Sequence, residues 1–160
     1  MTDVMPSAAE LLGPRCRVLV TGGAGFIGGA VVRRLLNESE AIVFNLDKMG
    51  YASDLTSINE VLETLGPEAT DRHQLLRVDL CDAEAVAESV KQADPDLVMH
   101  LAAESHVDRS ISGPGAFVDS NVTGTYNLLQ AVRQHYEGLP ESRRSQFRLH
   151  HISTDEVFGS

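Results

Sequence analysis

One octapeptide constrains this chain more than any other feature: Thr21-Gly22-Gly23-Ala24-Gly25-Phe26-Ile27-Gly28. It follows a short β-branched run over residues 16–21 and precedes an apolar recurrence at Ile27, Ala30, Val31 and Leu35. The run, stopped by glycines, reads as a buried strand, and the recurrence as one face of a helix. Gly22, Gly25 and Gly28 stand at GxxGxxG spacing. Glycines so placed allow a tight turn, a close approach of backbone to a phosphate, and close packing of helix on strand. The helix start adds unpaired N–H groups and the positive end of a helix dipole, which favour an anion. Glycine spacing alone is weak evidence, and the strand–turn–helix context is what gives it force.

The rest of the chain repeats the alternation. Strands are expected at residues 41–46, 73–78, 97–101 and 147–152. Between them fall helices carrying Leu55, Ile58, Leu62 and Leu65, then Val86, Val90 and Ala93, then Val118, Val122, Thr125, Leu129, Val132 and Tyr136. Ser53 or Asp54 is placed to cap the first of these and Gly66-Pro67 to stop it; Asp82 is placed to cap the second and Asp94-Pro95 to close it. Residues 137–145 are polar, contain Gly138 and Pro140, and read as a loop. Strands alternating with helices imply an α/β fold with a doubly wound parallel sheet (Rossmann fold), ending after the fifth strand. The 160 residues suit one domain. Residues 1–15 are expected to be a flexible leader and 16–160 the nucleotide-binding domain.

In such a sheet, ligands bind beyond the carboxyl ends of the strands. The second strand ends at Asp47, nineteen residues past Gly28. A carboxylate there accepts hydrogen bonds from both ribose hydroxyls of an adenosine and repels a 2′-phosphate, which favours NAD over NADP. Lys48, its neighbour, could mute that preference and keeps NADP open. Asp79 and Leu80 close the third strand on the same edge, placed for the adenine amino group and ring.

Composition narrows the function classes. Asp plus Glu number 23 against 13 Lys plus Arg, a formal charge of −10. That excess argues against a phosphate-backbone binder, so no nucleic-acid partner is expected. No apolar run of about 18 residues exists, so no membrane partner is expected either. The N-terminus lacks the pattern of a secretory signal. Cys16 and Cys81 form no CxxC pair, which suits a reduced, cytoplasmic protein with structural thiols. His150 and His151 are strand neighbours facing opposite ways and cannot readily share a metal, so no metal site is expected.

The turn TGGAGFIG resembles that of the extended short-chain dehydrogenases/reductases. Three further strings narrow the resemblance to the dTDP-glucose 4,6-dehydratase family: Leu101-Ala102-Ala103-Glu104-Ser105-His106-Val107-Asp108-Arg109-Ser110, Asn121-Val122-Thr123-Gly124-Thr125, and Ser153-Thr154-Asp155-Glu156-Val157-Phe158-Gly159-Ser160. It runs from about Cys16 to Ser160, and the Thr-Asp-Glu string separates these dehydratases from related sugar epimerases. The resemblance implies NAD-assisted oxidation of a nucleotide-activated hexose at C4, loss of water across C5 and C6, and reduction at C6. It assigns Asp155 as the acid at the C6 hydroxyl and Glu156 as the base at C5. Thr154 and Ser105 would contact the sugar. Phe26, Ile27, Asp47, Lys48, Met49, Gly50, Asp79, Leu80, Leu101, Ala102, Ala103, Glu104, Ser105 and Ser120 would line the NAD site beside Gly22, Gly25 and Gly28. Adjacent carboxyl groups in a partly dry pocket push one pKa upward, which supplies one acid and one base.

The family's Tyr-x-x-x-Lys pair is missing from these 160 residues: Tyr51, Tyr126 and Tyr136 are not followed by Lys four positions on. The resemblance also implies a further nucleotide-sugar domain, a complete enzyme about twice this length, and a homodimer. A stand-alone NAD-binding module and an inactive fragment stay open beside the dehydratase reading. An exposed fifth strand and an uncovered apolar patch on the helix near residues 118–136 are expected.

Overall fold

The computed structural model describes residues 8–105, 111 and 113–154. Among them, five strands form one all-parallel sheet in the order β3-β2-β1-β4-β5. The strands are β1 Arg17–Thr21, β2 Ile42–Leu46, β3 His73–Leu76, β4 Leu97–His100 and β5 Arg148–His151. The order reverses between β1 and β4, which opens a crevice at the carboxyl edge. Period-2 alternation divides the core. Val18 and Val20 face one side with Val32, Leu36 and Ile58, and Leu19 faces the other with Val86, Val90 and Leu128. All nine are at most 2% exposed. Each such side chain contributes about 1.5–3 kcal/mol by leaving water.

Helices α2 (Phe26–Glu38) and α3 (Thr56–Leu65) supply the first layer, and α5 (Ala83–Ala93) and α7 (Thr125–Gly138) the second. Within the segment expected as leader, α1 (Ala8–Leu11) forms a single turn, and Leu12 packs against the first layer. The buried face of α2 is Gly28, Gly29, Val32, Leu35 and Leu36; of the expected Ile27, Ala30, Val31 and Leu35, Leu35 is buried, Val31 is partly buried, and Ile27 and Ala30 are exposed. Gly28 makes the close contact with the preceding turn. This rotates the helix and leaves Ile27 63% exposed at the rim of the crevice.

Asp82 caps α5, its carboxylate accepting the Ala85 N–H at 3.0 Å, and Asp94 ends that helix in the left-handed conformation. At the start of α3, Asp54 accepts the Thr56 N–H at 2.8 Å, whereas Ser53 is engaged elsewhere. Gly66 stops α3 at φ 83°, and Pro67 opens a further short helix, α4 (Pro67–Asp71). The long helix expected at 118–136 is composite: α6 (Pro114–Phe117), a π-helical segment (Val118–Gly124), then α7. One turn, α8 (Glu141–Arg144), interrupts the expected loop and aims Arg143 at Asp94 and Asp96. β5 is an edge strand with all four residues exposed. Among the described residues, no helix is long and apolar enough to cross a membrane.

Candidate functional site

The strand ends stand in register: Thr21 lies beside Leu46 and His100, Leu46 beside Leu76, and His100 beside His151. The residues next in sequence, Gly22, Asp47 and Leu101, therefore share one edge. A cavity of about 360 Å³ opens there. Every residue that the sequence assigns to the cofactor lines it except Met49: Gly22, Gly25, Phe26, Ile27, Gly28, Asp47, Lys48, Gly50, Asp79, Leu80, Leu101, Ala102, Ala103, Glu104, Ser105 and Ser120. Thr154 is exposed beyond β5 and does not line the cavity. Asp155, Glu156 and residues 106–110 lie outside the described residues.

The turn needs its glycines for two reasons. Gly22 has φ 70°, and a Cβ there would sit 2.7 Å from the Ala102 Cα, so the turn and the β4 loop touch backbone to backbone. A Cβ on Gly28 would collide with the Gly22 carbonyl. The N-cap of α2, Gly25, offers no side-chain cap, which leaves the first N–H groups of the helix facing the cavity for an anion.

Asp47 is 7% exposed and already carries three protein donors. Its Oδ2 accepts the Ala24 N–H at 3.0 Å, and its Oδ1 accepts the Met49 N–H and the Ser53 hydroxyl at 2.8 Å each. Met49, at φ 59°, thus contributes its amide to Asp47 instead of lining the cavity. A carboxylate offers about four acceptor positions. One remains, on Oδ2, where the sequence suggested acceptance of two ribose hydroxyls. Asp79 accepts the Cys81 N–H at 3.0 Å, which orients its side chain at the next strand end.

On the β4 side, Asn121 in the π-helical segment clamps Glu104. Its Oδ1 accepts the Glu104 N–H at 2.8 Å, and its Nδ2 donates to the Glu104 carbonyl at 2.9 Å. Lys48 Nζ donates to Glu104 Oε1 at 3.1 Å and to Ser120 Oγ at 3.2 Å. Burial acts to lower the Lys48 pKa. The hydrogen bond and charge of Glu104, joined by the charge of Asp79, outweigh it and hold the ammonium above its ordinary value.

Sequence reading missed Tyr51, Ala52 and Ser53, which also line the cavity, and the buried chain beneath it. His100, 2% exposed, has Nδ1 2.6 Å from Thr21 Oγ1 and Nε2 3.0 Å from Thr125 Oγ1. Thr21 Oγ1 also accepts the Ala102 N–H at 3.3 Å. Burial, then the charge of His151, pushes His100 down to about 4, so the neutral ring joins one hydroxyl as donor and the other as acceptor. The only available signal was a histidine inside an apolar strand run.

A doubly wound parallel sheet with a glycine turn and a cavity at its switch point defines a Rossmann-type nucleotide-binding domain. The chain belongs to the GDP-mannose 4,6 dehydratase family, whose model matches residues 19–160. It is 50% identical over 143 residues to the dTDP-glucose 4,6-dehydratase of Shigella flexneri, covering 89% of this chain and 38% of that protein. The matched part is thus less than the half that the sequence suggested. A dTDP-glucose 4,6-dehydratase from Streptomyces venezuelae, solved with NAD bound, superposes with a TM-score of 0.70 at 37% identity over 90% of this chain and 41% of that one. UDP-glucose 4-epimerase from Bifidobacterium longum, in complex with NAD+ and UDP, gives a TM-score of 0.71 at 26% identity over 89% and 38%.

Proposed function

We propose that this chain is the cofactor-binding portion of an NAD-dependent dTDP-glucose 4,6-dehydratase, a cytoplasmic lyase that works as a homodimer. The observation that carries the reading is the cavity at the switch point, where the glycine turn, Asp47, Asp79 and the Leu101–Ser105 segment converge. Its volume of about 360 Å³ falls in the ~300–1,000 Å³ range of small-molecule sites. The chain's own groups fit NAD. The α2 N-terminus and the glycine turn would hold the pyrophosphate, Asp47 Oδ2 a ribose hydroxyl, and Asp79 and Leu80 the adenine. When bound, NAD supplies reversible oxidation at the sugar. The residues of this chain then handle protons: Asp155 gives one to the departing C6 hydroxyl, and Glu156 takes one from C5, acidified by the C4 ketone. Ser105 and Thr154 would orient the sugar. The 50% identity to a dTDP-glucose 4,6-dehydratase supports the choice of reaction, and the separation of Thr154 from the cavity agrees with a sugar lying beyond the cofactor.

Calorimetric titration of the chain with NAD tests the first step, and no heat and no thermal shift at millimolar ligand would reject it. For the reaction, the chain is fused to the remaining length of the Shigella flexneri relative. The fusion should form the 4-keto-6-deoxy sugar, and Asp155→Asn or Glu156→Gln should each abolish it. A folded fusion that binds NAD without turnover would sink the dehydratase reading.

A further inference from the structure

Three of the four charged side chains that line the cavity are acids, Asp47, Asp79 and Glu104; Lys48 is the single cation among the described residues there. Its position in sequence, next to Asp47, puts it where it could attract an additional phosphate on the adenosine ribose. Its position in space does not. Lys48 Nζ is drawn to the β4 side of the crevice, 3.1 Å from Glu104 and 3.2 Å from Ser120. Glu104 is itself fixed, its backbone held on both polar atoms by Asn121 and its side chain only 15% exposed. Asp47 meanwhile is tethered by Ala24, Met49 and Ser53 and cannot swing aside for a larger anion.

We infer that Glu104 is a specificity-determining residue for the cofactor: by holding Lys48 across the crevice, it withholds the one cation among the described cavity residues that could receive a 2′-phosphate. This rests on the NAD-binding reading and deepens it. Glu104 acts through Lys48, so it is a positioning residue, placed fifty-six residues away in sequence from the amine it controls. A 2′-phosphate arriving in the native site meets the fixed Asp47 carboxylate with no compensating charge.

The test is a pair of calorimetric titrations, NAD and NADP, on the native chain, Glu104→Gln, Lys48→Ala and the double variant. Glu104→Gln keeps the size of the side chain and removes its charge. Freed from its ion pair, Lys48 should strengthen NADP binding relative to NAD about fivefold, the effect of roughly one surface ion pair. The double variant should return the ratio to the native value, because no amine remains to be released. A structural role for Glu104 would weaken both cofactors together and leave the ratio unchanged, and that result overturns the inference. If the native chain binds no NAD, the reading beneath it fails as well; NAD binding with an unchanged ratio overturns the inference alone.

Discussion

His100 shows what a single buried side chain imposes on this fold. It bridges Thr21 and Thr125 from inside the sheet, and burial, then the charge of His151, pushes its pKa down to about 4, whereas an unfolded histidine titrates near 6.5. The unfolded chain therefore binds the proton first. The contribution of His100 is complete above pH 6.5 and is lost as pH falls toward 4. His73, also lowered by burial, adds in the same direction. Urea unfolding at pH 7 and pH 5 should show a loss of about 2 kcal/mol from His100 alone, and a midpoint that does not move would refute it. The glycines at the turn make a sharper contrast. Gly28→Ala drives a methyl group into the Gly22 carbonyl and should cost about 1–3 kcal/mol with at least a tenfold loss of NAD affinity. Its neighbour Gly29 has nothing nearer than 3.5 Å to an added Cβ. Gly29→Ala should therefore be neutral, or stabilising by up to about 1 kcal/mol through helix propensity. Thermal melts of the two variants that moved together would break the steric argument.

Among the elements, legibility followed whether the signal was local. Asp82 and Asp94 bound α5 where the sequence places them because both signals are short-range: a side-chain cap at one end and a left-handed residue at the other. Asp82→Ala should cost about 1 kcal/mol, seen as a lower unfolding midpoint, and an unchanged midpoint would show that the cap contributes nothing. The face of α2 departs from its apolar spacing, apart from Leu35, because close packing onto the turn is made by Gly28, which carries no apolar weight in a periodicity. Ser53, proposed as a cap, turned out to tether Asp47, and the π-helical segment left no mark in the spacing of Val118, Val122 and Thr125. The site was more legible than the contacts that hold it. Motifs placed Asp47, Asp79 and Glu104 on one cavity, yet neither the three donors on Asp47 nor the diversion of Lys48 could be read from sequence. The Ala24–Asp47 and Lys48–Glu104 contacts join loops after different strands, and only the register of the sheet brings them together.

At the scale of the whole molecule, two surfaces stand out because each is apolar or unpaired. One is β5, an exposed edge whose outer backbone groups have no neighbouring strand among the described residues. The other is the face carrying Val118, Val122, Tyr126 and Leu129, which runs unbroken from the π-helical segment into α7 and is 43–62% exposed. The opposite side of α7 is committed to the core through Leu128, Ala131 and Val132. The helix is thus amphipathic in both directions, with a stripe that the core cannot use. A net charge of −10 resists association at long range, but salt screens that repulsion within about 10 Å at 0.1 M. Contact of two such stripes would remove apolar surface at about 25 cal/mol per Å². The chain should therefore self-associate with rising concentration in moderate salt, as followed by sedimentation velocity. Leu129 is 43% exposed and does not line the cavity, so Leu129→Glu should shift the population to monomer and leave the NAD titration unchanged. If Leu129→Glu associates like the native chain while a charge on the edge strand, Leu149→Lys, abolishes association, then edge pairing and not the helical stripe drives assembly. The two surfaces lie on different elements, so the two substitutions separate them cleanly.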